Sequence, residues 1–367
     1  MIDPGAGSGS GASAWLSSRV TGVDAARGLA LIGMFVAHVA PDVASDSLAD
    51  VIAIAHERPR LLFALTAGVG LGLLTGATRP AIEHRGTLRR QIAIRAIILI
   101  ALGVLIVTLL KPLVFVILDV YGVAFLLMLP VLFVPGRVAI GLGSALLVVT
   151  PAAAALAERD SAVRAASDGA AGFAVDWFLT GAYPVIVWVP VMLIGLGIAR
   201  LDVARASSVR RYGAVGLAAA VLCMPLGYAI PENQVLGADP SADWMVPARA
   251  SLTTIGNVGF GLVVIAVLVA LTALSSRTVR AASSVILAPI IAMGAMPLTI
   301  YTLHLVVISA GERVENGVVT DDSWPMLLGL VLGSMAFAWL WQRYLGRGPF
   351  ERLLRWASGR ARQPAER

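Results

Sequence analysis

Residues 19–41 read RVTGVDAARGLALIGMFVAHVAP. Beyond an acidic and a basic residue, Asp24 and Arg27, the stretch stays apolar until it meets His38 and then Pro41. A helix needs about 20 mostly apolar residues to cross the roughly 30 Å hydrocarbon layer of a bilayer, and this segment has that length. Comparable stretches recur along the chain, ten in all, near 24–43, 61–78, 93–110, 117–134, 137–157, 183–200, 212–230, 251–274, 284–308 and 326–344. The sequence therefore predicts an all-α, polytopic membrane bundle of about ten spans with the lipid bilayer as its main partner. Little chain is left for a separate soluble domain: 1–18 reads as a flexible tail, 19–345 as one transmembrane domain and 346–367 as a basic cytoplasmic tail.

Composition supports the same conclusion. Of 367 residues, 58% are hydrophobic and 14% charged, whereas a soluble domain carries about a quarter charged residues. The net charge of +6 does not indicate a nucleic-acid partner, because so much apolar sequence must face lipid. One cysteine, Cys223, provides neither a disulfide framework nor a cysteine metal site. The small, glycine-rich start lacks the basic n-region of a cleaved signal peptide. High alanine, arginine and glycine content with a single lysine points to a GC-rich bacterial source, and hence to the bacterial inner membrane.

The positive charges set the orientation, since basic residues concentrate in cytoplasmic loops. With the N-terminus inside, 21 of the 28 Lys and Arg residues fall on the inner side and 7 outside. Both termini are then cytoplasmic, which requires an even number of spans.

Ionisable groups are costly within spans and are default candidates for function. Three of the four histidines, His38, His56 and His304, fall at the outer ends of spans or in the adjoining loop, while His84 belongs to the arginine-rich inner loop. Imidazole accepts a proton from a hydroxyl or amine near neutral pH and also acts as a nucleophile toward an acyl donor; the alternative for each is a histidine hydrogen-bonded for packing. Asp119 and Tyr121 open span 4 at the same boundary, where Asp119 is suited to orienting a histidine and Tyr121 either binds an acceptor or anchors the interface. Asn257, in the outer third of span 8, either contacts a neighbouring helix or lines the cavity, and Arg58 beside His56 completes the substrate-binding set. At the inner end Asp24 and Arg27 share a helix face. They form a structural ion pair, or Arg27 joins inner-loop arginines such as Arg89 and Arg90 in binding an anion, because guanidinium forks suit phosphate. No glycine-rich phosphate loop, zinc motif or serine elbow is present, and no metal is expected.

Arg19–Pro41 resembles the opening of transmembrane acyltransferases related to heparan-α-glucosaminide N-acetyltransferase and its bacterial relatives, in which an S-x-D-x-x-R-G element leads into span 1. Leu179–Arg200 (LTGAYPVIVWVPVMLIGLGIAR), Gly294–Val307 (GAMPLTIYTLHLVV) and Gly348–Trp356 (GPFERLLRW) are similar to the bacterial relatives. The resemblance implies transfer of an acyl group, typically acetyl from cytoplasmic acetyl-CoA, to a sugar, glycolipid or other acceptor across the membrane. It also implies that His56 occupies the position of the family's active histidine, and His38 that of a family asparagine. The donor's phosphates are then expected near Arg27 and the inner arginines, with His38, His304 or Asp119 as orienting or second-base groups. A transporter of a polar or lipid-linked envelope molecule, or a scaffolding subunit, are the alternatives. Glycines in Ala67–Gly76 serve close packing or flexibility, and small-residue faces allow a homodimer.

Overall fold

The computed structural model describes residues 20–41, 43, 46–169, 172–231, 243–315 and 318–359. The expected tail over 1–18 lies outside them, as do the last residues of the chain.

Over the described residues the molecule is a helical bundle with one short antiparallel strand pair. In chain order the helices are α1 (Thr21–Val39), α2 (Asp46–Leu74), α3 (Arg85–Leu110), α4 (Leu118–Met128, continued by a 3-10 turn to Val131) and α5 (Gly136–Ala157). Next come short α6 (Ser161–Ser167) and α7 (Gly172–Val175), a π-helical turn at Asp176–Thr180, α8 (Val185–Arg200), α9 (Ala206–Ala229) and α10 (Met245–Val269). The remaining helices are α11 (Arg277–Ile286), α12 (Ala288–Ala295), α13 (Pro297–Gly311), α14 (Trp324–Tyr344) and α15 (Pro349–Ala357). Strands β1 (Arg313–Glu315) and β2 (Val318–Thr320) pair antiparallel between α13 and α14, an addition to the all-α expectation.

Among the described residues six helices are long and apolar enough to cross a membrane, or eight if each of two bent pairs counts as one crossing. The ninth expected stretch, 284–308, is not one helix. It breaks at Leu287 and again at Met296, whose φ of −131° and ψ of 55° leave the helical region. Pro289 and Pro297 follow those breaks by two residues and one; proline cannot donate to the preceding turn but fits the first turn of a new helix. α11 and α12 meet at 65°.

Helix α1 occupies the centre: 61% of its apolar window is buried, against 17% for α9 at the periphery. α12 runs antiparallel along it, close enough that a Cβ on Gly28 would stand 2.1 Å from the Ile290 carbonyl oxygen. One on Gly294 would stand 1.8 Å from the Asp24 oxygen, so both positions need glycine. Helix α8 is buried continuously from Pro190 to Arg200 and packs on α2, where Gly68 lies against the Met192 carbonyl. The Ala67–Gly76 glycine at this crossing therefore serves close packing, the arrangement by which membrane helices gain dispersion contacts that lipid cannot provide.

Candidate functional site

Two polar centres lie at opposite ends of the bundle. At one, the last turn of α1 and the middle of α13 bring His38 and His304 together: His304 Nε2 is 3.4 Å from His38 Nδ1, and the rings stack at 5.5 Å between centroids with 16° between planes. One proton shared across this contact makes one ring the donor and the other the acceptor. His304 is fully buried and His38 half-buried. Phe35 (5.0 Å) and the edge of Tyr301 (4.6 Å) hold the His304 ring. The Tyr301 hydroxyl in turn accepts a hydrogen bond of 3.0 Å from the Ile117 amide, which ties the pair to the start of α4.

Asp119 lies two residues further on and is buried. It does not turn to a histidine: Oδ2 accepts from the Trp177 indole N–H at 2.9 Å and Oδ1 from the Val120 amide. Tyr121 is buried rather than interfacial. Its hydroxyl donates to the Phe63 carbonyl at 3.3 Å, and its ring packs on Phe63, Phe125 and Trp188. Asn257, fully buried on α10, donates from Nδ2 to the Tyr228 hydroxyl of α9 at 3.4 Å, the helix contact of the two alternatives. Arg58 covers the Phe260 ring at 5.7 Å. Arg60 holds the other edge of this region by donating to Glu57 and, at 2.9 Å, to the Ala182 carbonyl. The His56 backbone belongs to α2; its side chain lies outside the described residues.

Beside the imidazole pair, the Ser323 amide donates to the Val39 carbonyl at 2.8 Å and joins the start of α14 to the end of α1. An open cleft of about 500 Å³ adjoins this junction, lined by Pro41, Arg313, Thr320, Asp322, Ser323, Trp324 and Pro325. It combines an aromatic face with a guanidinium, a carboxylate and hydroxyls.

The other centre is a closed knot. Arg27 donates to Asp24 at 3.1 Å, to the Gly294 carbonyl at 3.0 Å and to the Thr66 carbonyl at 3.0 Å. Glu351 of α15 accepts from the Leu298 and Thr299 amides at 2.8 and 3.1 Å and from the Thr299 hydroxyl at 2.5 Å, so it caps the start of α13. Residues 294–299 thus join two distant elements, with Gly294 against Asp24 and Arg27 and Thr299 against Glu351. Residues 349–357 consequently form a docked helix rather than a tail. Nearby, Arg200 is buried and donates to the carbonyls of Gly72, Ala77 and Leu132 and to the Thr75 hydroxyl, locking the ends of α2, α4 and α8. Arg89 donates to the Leu129 carbonyl at 3.1 Å and, with Arg85, covers Phe133; Arg90 is exposed. Among the described residues no three His, Cys, Asp or Glu side chains are grouped to hold a metal ion.

Tyr301, Trp177, Arg200 and Glu351 were not singled out by the sequence. The available signal was contextual: Tyr301 stands three residues before His304, and Glu351 sits inside the quoted C-terminal element.

The fold and its two centres define a multi-pass helical membrane protein with a buried imidazole pair near one end. Residues 19–227 match the family model described as heparan-alpha-glucosaminide N-acetyltransferase, catalytic; this is more than half of the chain, which therefore belongs to that family of transmembrane acetyltransferase-like proteins. Residues 198–361 match a second model, described as a protein of unknown function (DUF418). A search of curated proteins finds no match.

Proposed function

We propose that this protein transfers an acyl group, acetyl in the family's pattern, from a cytoplasmic acyl-CoA to a hydroxyl or amine of a sugar or glycolipid acceptor on the opposite side of a bacterial inner membrane. The observation that carries this reading is the His38–His304 contact at the end of the bundle opposite the arginines. With the shared proton on His38 Nδ1, His38 Nε2 is left as a base. It takes the acceptor's proton as the acceptor oxygen or nitrogen attacks the thioester carbon; the carbon–sulfur bond breaks, and the imidazolium returns a proton to the departing CoA sulfur. His56 keeps the role that the family pattern implies, carrying the acyl group or sharing the deprotonation. The cleft at Trp324 and Asp322 admits the acceptor.

On the cytoplasmic side we assign the donor phosphates to Arg89 and the exposed Arg90. Arg27 stands behind them, its guanidinium occupied by Asp24 and two carbonyls. Ten crossings with both termini inside fit this sidedness if the α11–α12 elbow stays on the cytoplasmic side, leaving α13 to make the ninth crossing.

The test is acyl transfer in proteoliposomes supplied with acetyl-CoA on one side and an amino-sugar glycoside on the other. Wild-type turnover with loss in His38→Ala, His304→Ala and His56→Ala supports the reading. Unchanged turnover in all three variants sinks the imidazole mechanism. Absence of CoA binding, together with movement of the glycoside, replaces acyl transfer by transport.

A further inference from the structure

The arginine-rich face carries a second feature, independent of any acyl transfer. Helix α11 is exposed at nearly every residue and is strongly two-sided. Arg277, Arg280 and Ser284 share one face at helical spacing, while Val279, Val285 and Ile286 are exposed apolar residues, the last two 75% and 74% accessible. A helix of this kind lies in the plane of the membrane interface, with its apolar side toward acyl chains and its cations toward headgroups.

Where α11 turns into α12, the elbow leaves a cleft of about 560 Å³ against α14, lined by Ser284, Val285, Ala288, Pro289 and Trp339. Its walls are almost wholly apolar, and α11 and α14 beside it each carry an arginine one turn from a lining residue. Arg280 lies one turn from Ser284 on α11, and Arg343 lies one turn beyond Trp339 on α14. No aspartate or glutamate occurs anywhere in 277–295 or 324–346, so this charge has no acidic neighbour within its own elements. Apolar walls alone suit any lipid tail. The cationic rim selects, because a basic pocket at the cytoplasmic leaflet favours anionic headgroups.

We propose that this elbow is a binding site for an anionic phospholipid of the cytoplasmic leaflet. One acyl chain lies in the cleft between Pro289 and Trp339, and the phosphate is held by Arg277, Arg280 and Arg343.

The experiment uses the full chain purified in detergent, titrated with dioleoylphosphatidylglycerol or dioleoylphosphatidylcholine and read by native mass spectrometry and by the thermal unfolding midpoint. Wild type is expected to retain the anionic phosphatidylglycerol about tenfold better or more, since each arginine near an anionic headgroup contributes about a factor of five. Its unfolding midpoint should rise with that lipid only. Arg277→Gln/Arg280→Gln/Arg343→Gln abolishes the preference, and Trp339→Ala weakens retention of both lipids. Equal retention of the two lipids by wild type, or an undiminished preference in the triple variant, overturns the proposal. Displacement of the lipid by oleoyl-CoA at equal concentration also overturns it, because the occupant would then be the donor. Should the triple variant fail to fold, a photo-crosslinkable phosphatidylglycerol on wild type decides: labelling within 277–289 or at Trp339 supports the site, and labelling elsewhere alone rejects it.

Discussion

The two polar centres of this bundle hold ionisable residues under opposite conditions. In the Asp24–Arg27–Glu351 knot, each carboxylate and guanidinium finds its partners within the protein, mostly backbone groups at helix ends. At the histidine centre the two rings partner one another through one nitrogen each, and His38 is half-buried beside an open cleft. Polar groups inside a membrane protein are costly unless satisfied. A centre whose valences are closed by its own chain builds structure, and a centre with an open valence is equipped for chemistry.

Several substitutions can break that contrast. The largest effect is expected at the imidazole pair: His304→Ala, which strips His38 Nδ1 of its partner, should lower acyl transfer by about 10²- to 10⁴-fold, whereas the cavity it opens between Phe35 and Tyr301 should lower the thermal midpoint in detergent without unfolding the protein. Coincident loss of fold and activity would place His304 with the structural centre. Next, Arg200→Ala removes the short hydrogen bonds to the Ala77 and Leu132 carbonyls, while the Gly72 carbonyl keeps the Ala77 amide; at roughly 1–3 kcal/mol per orphaned group it should destabilise the protein by about 3 kcal/mol. Thermal denaturation checks this. Glu351→Ala removes the cap on α13, and a loss of about 2 kcal/mol is expected; because α13 also carries His304, turnover should fall with stability, which an isolated C-terminal tail would not produce. The smallest effect is at Tyr301→Phe. The ring contact with His304 survives but the Ile117 amide loses its acceptor, for about 1 kcal/mol, and hydrogen exchange at the start of α4 should report it.

Much of this was legible in the chain. Apolar length located the helices, and the arginine bias separated the two ends. His38 and His304 were readable as neighbours of one face because both stood at the same ends of their stretches. The knot was only half readable: Asp24 and Arg27 are three apart on one helix, but Gly294, which reaches them, and Glu351, which caps the helix that follows it, lie hundreds of residues downstream. Arg200 was counted among the inner-loop arginines, since charge bias does not distinguish an arginine facing water from one buried over carbonyl groups. Tyr121 stood at a boundary in the sequence, and yet the bundle closes over it.

The ninth stretch marks the limit of hydropathy. Residues 284–308 are apolar enough for one span, but hydropathy averages over a window and is blind to direction, so the turns at Leu287 and Met296 are invisible to it. What the amino-acid sequence determined by itself was partition, namely which segments leave water, because that depends on composition summed along the chain. Only the tertiary structure decided which polar groups are spent on one another and which stay open. That outcome depends on distances of a few ångströms between helices, set here by glycines such as Gly28 and Gly294 and by prolines that turn α12 back along α1.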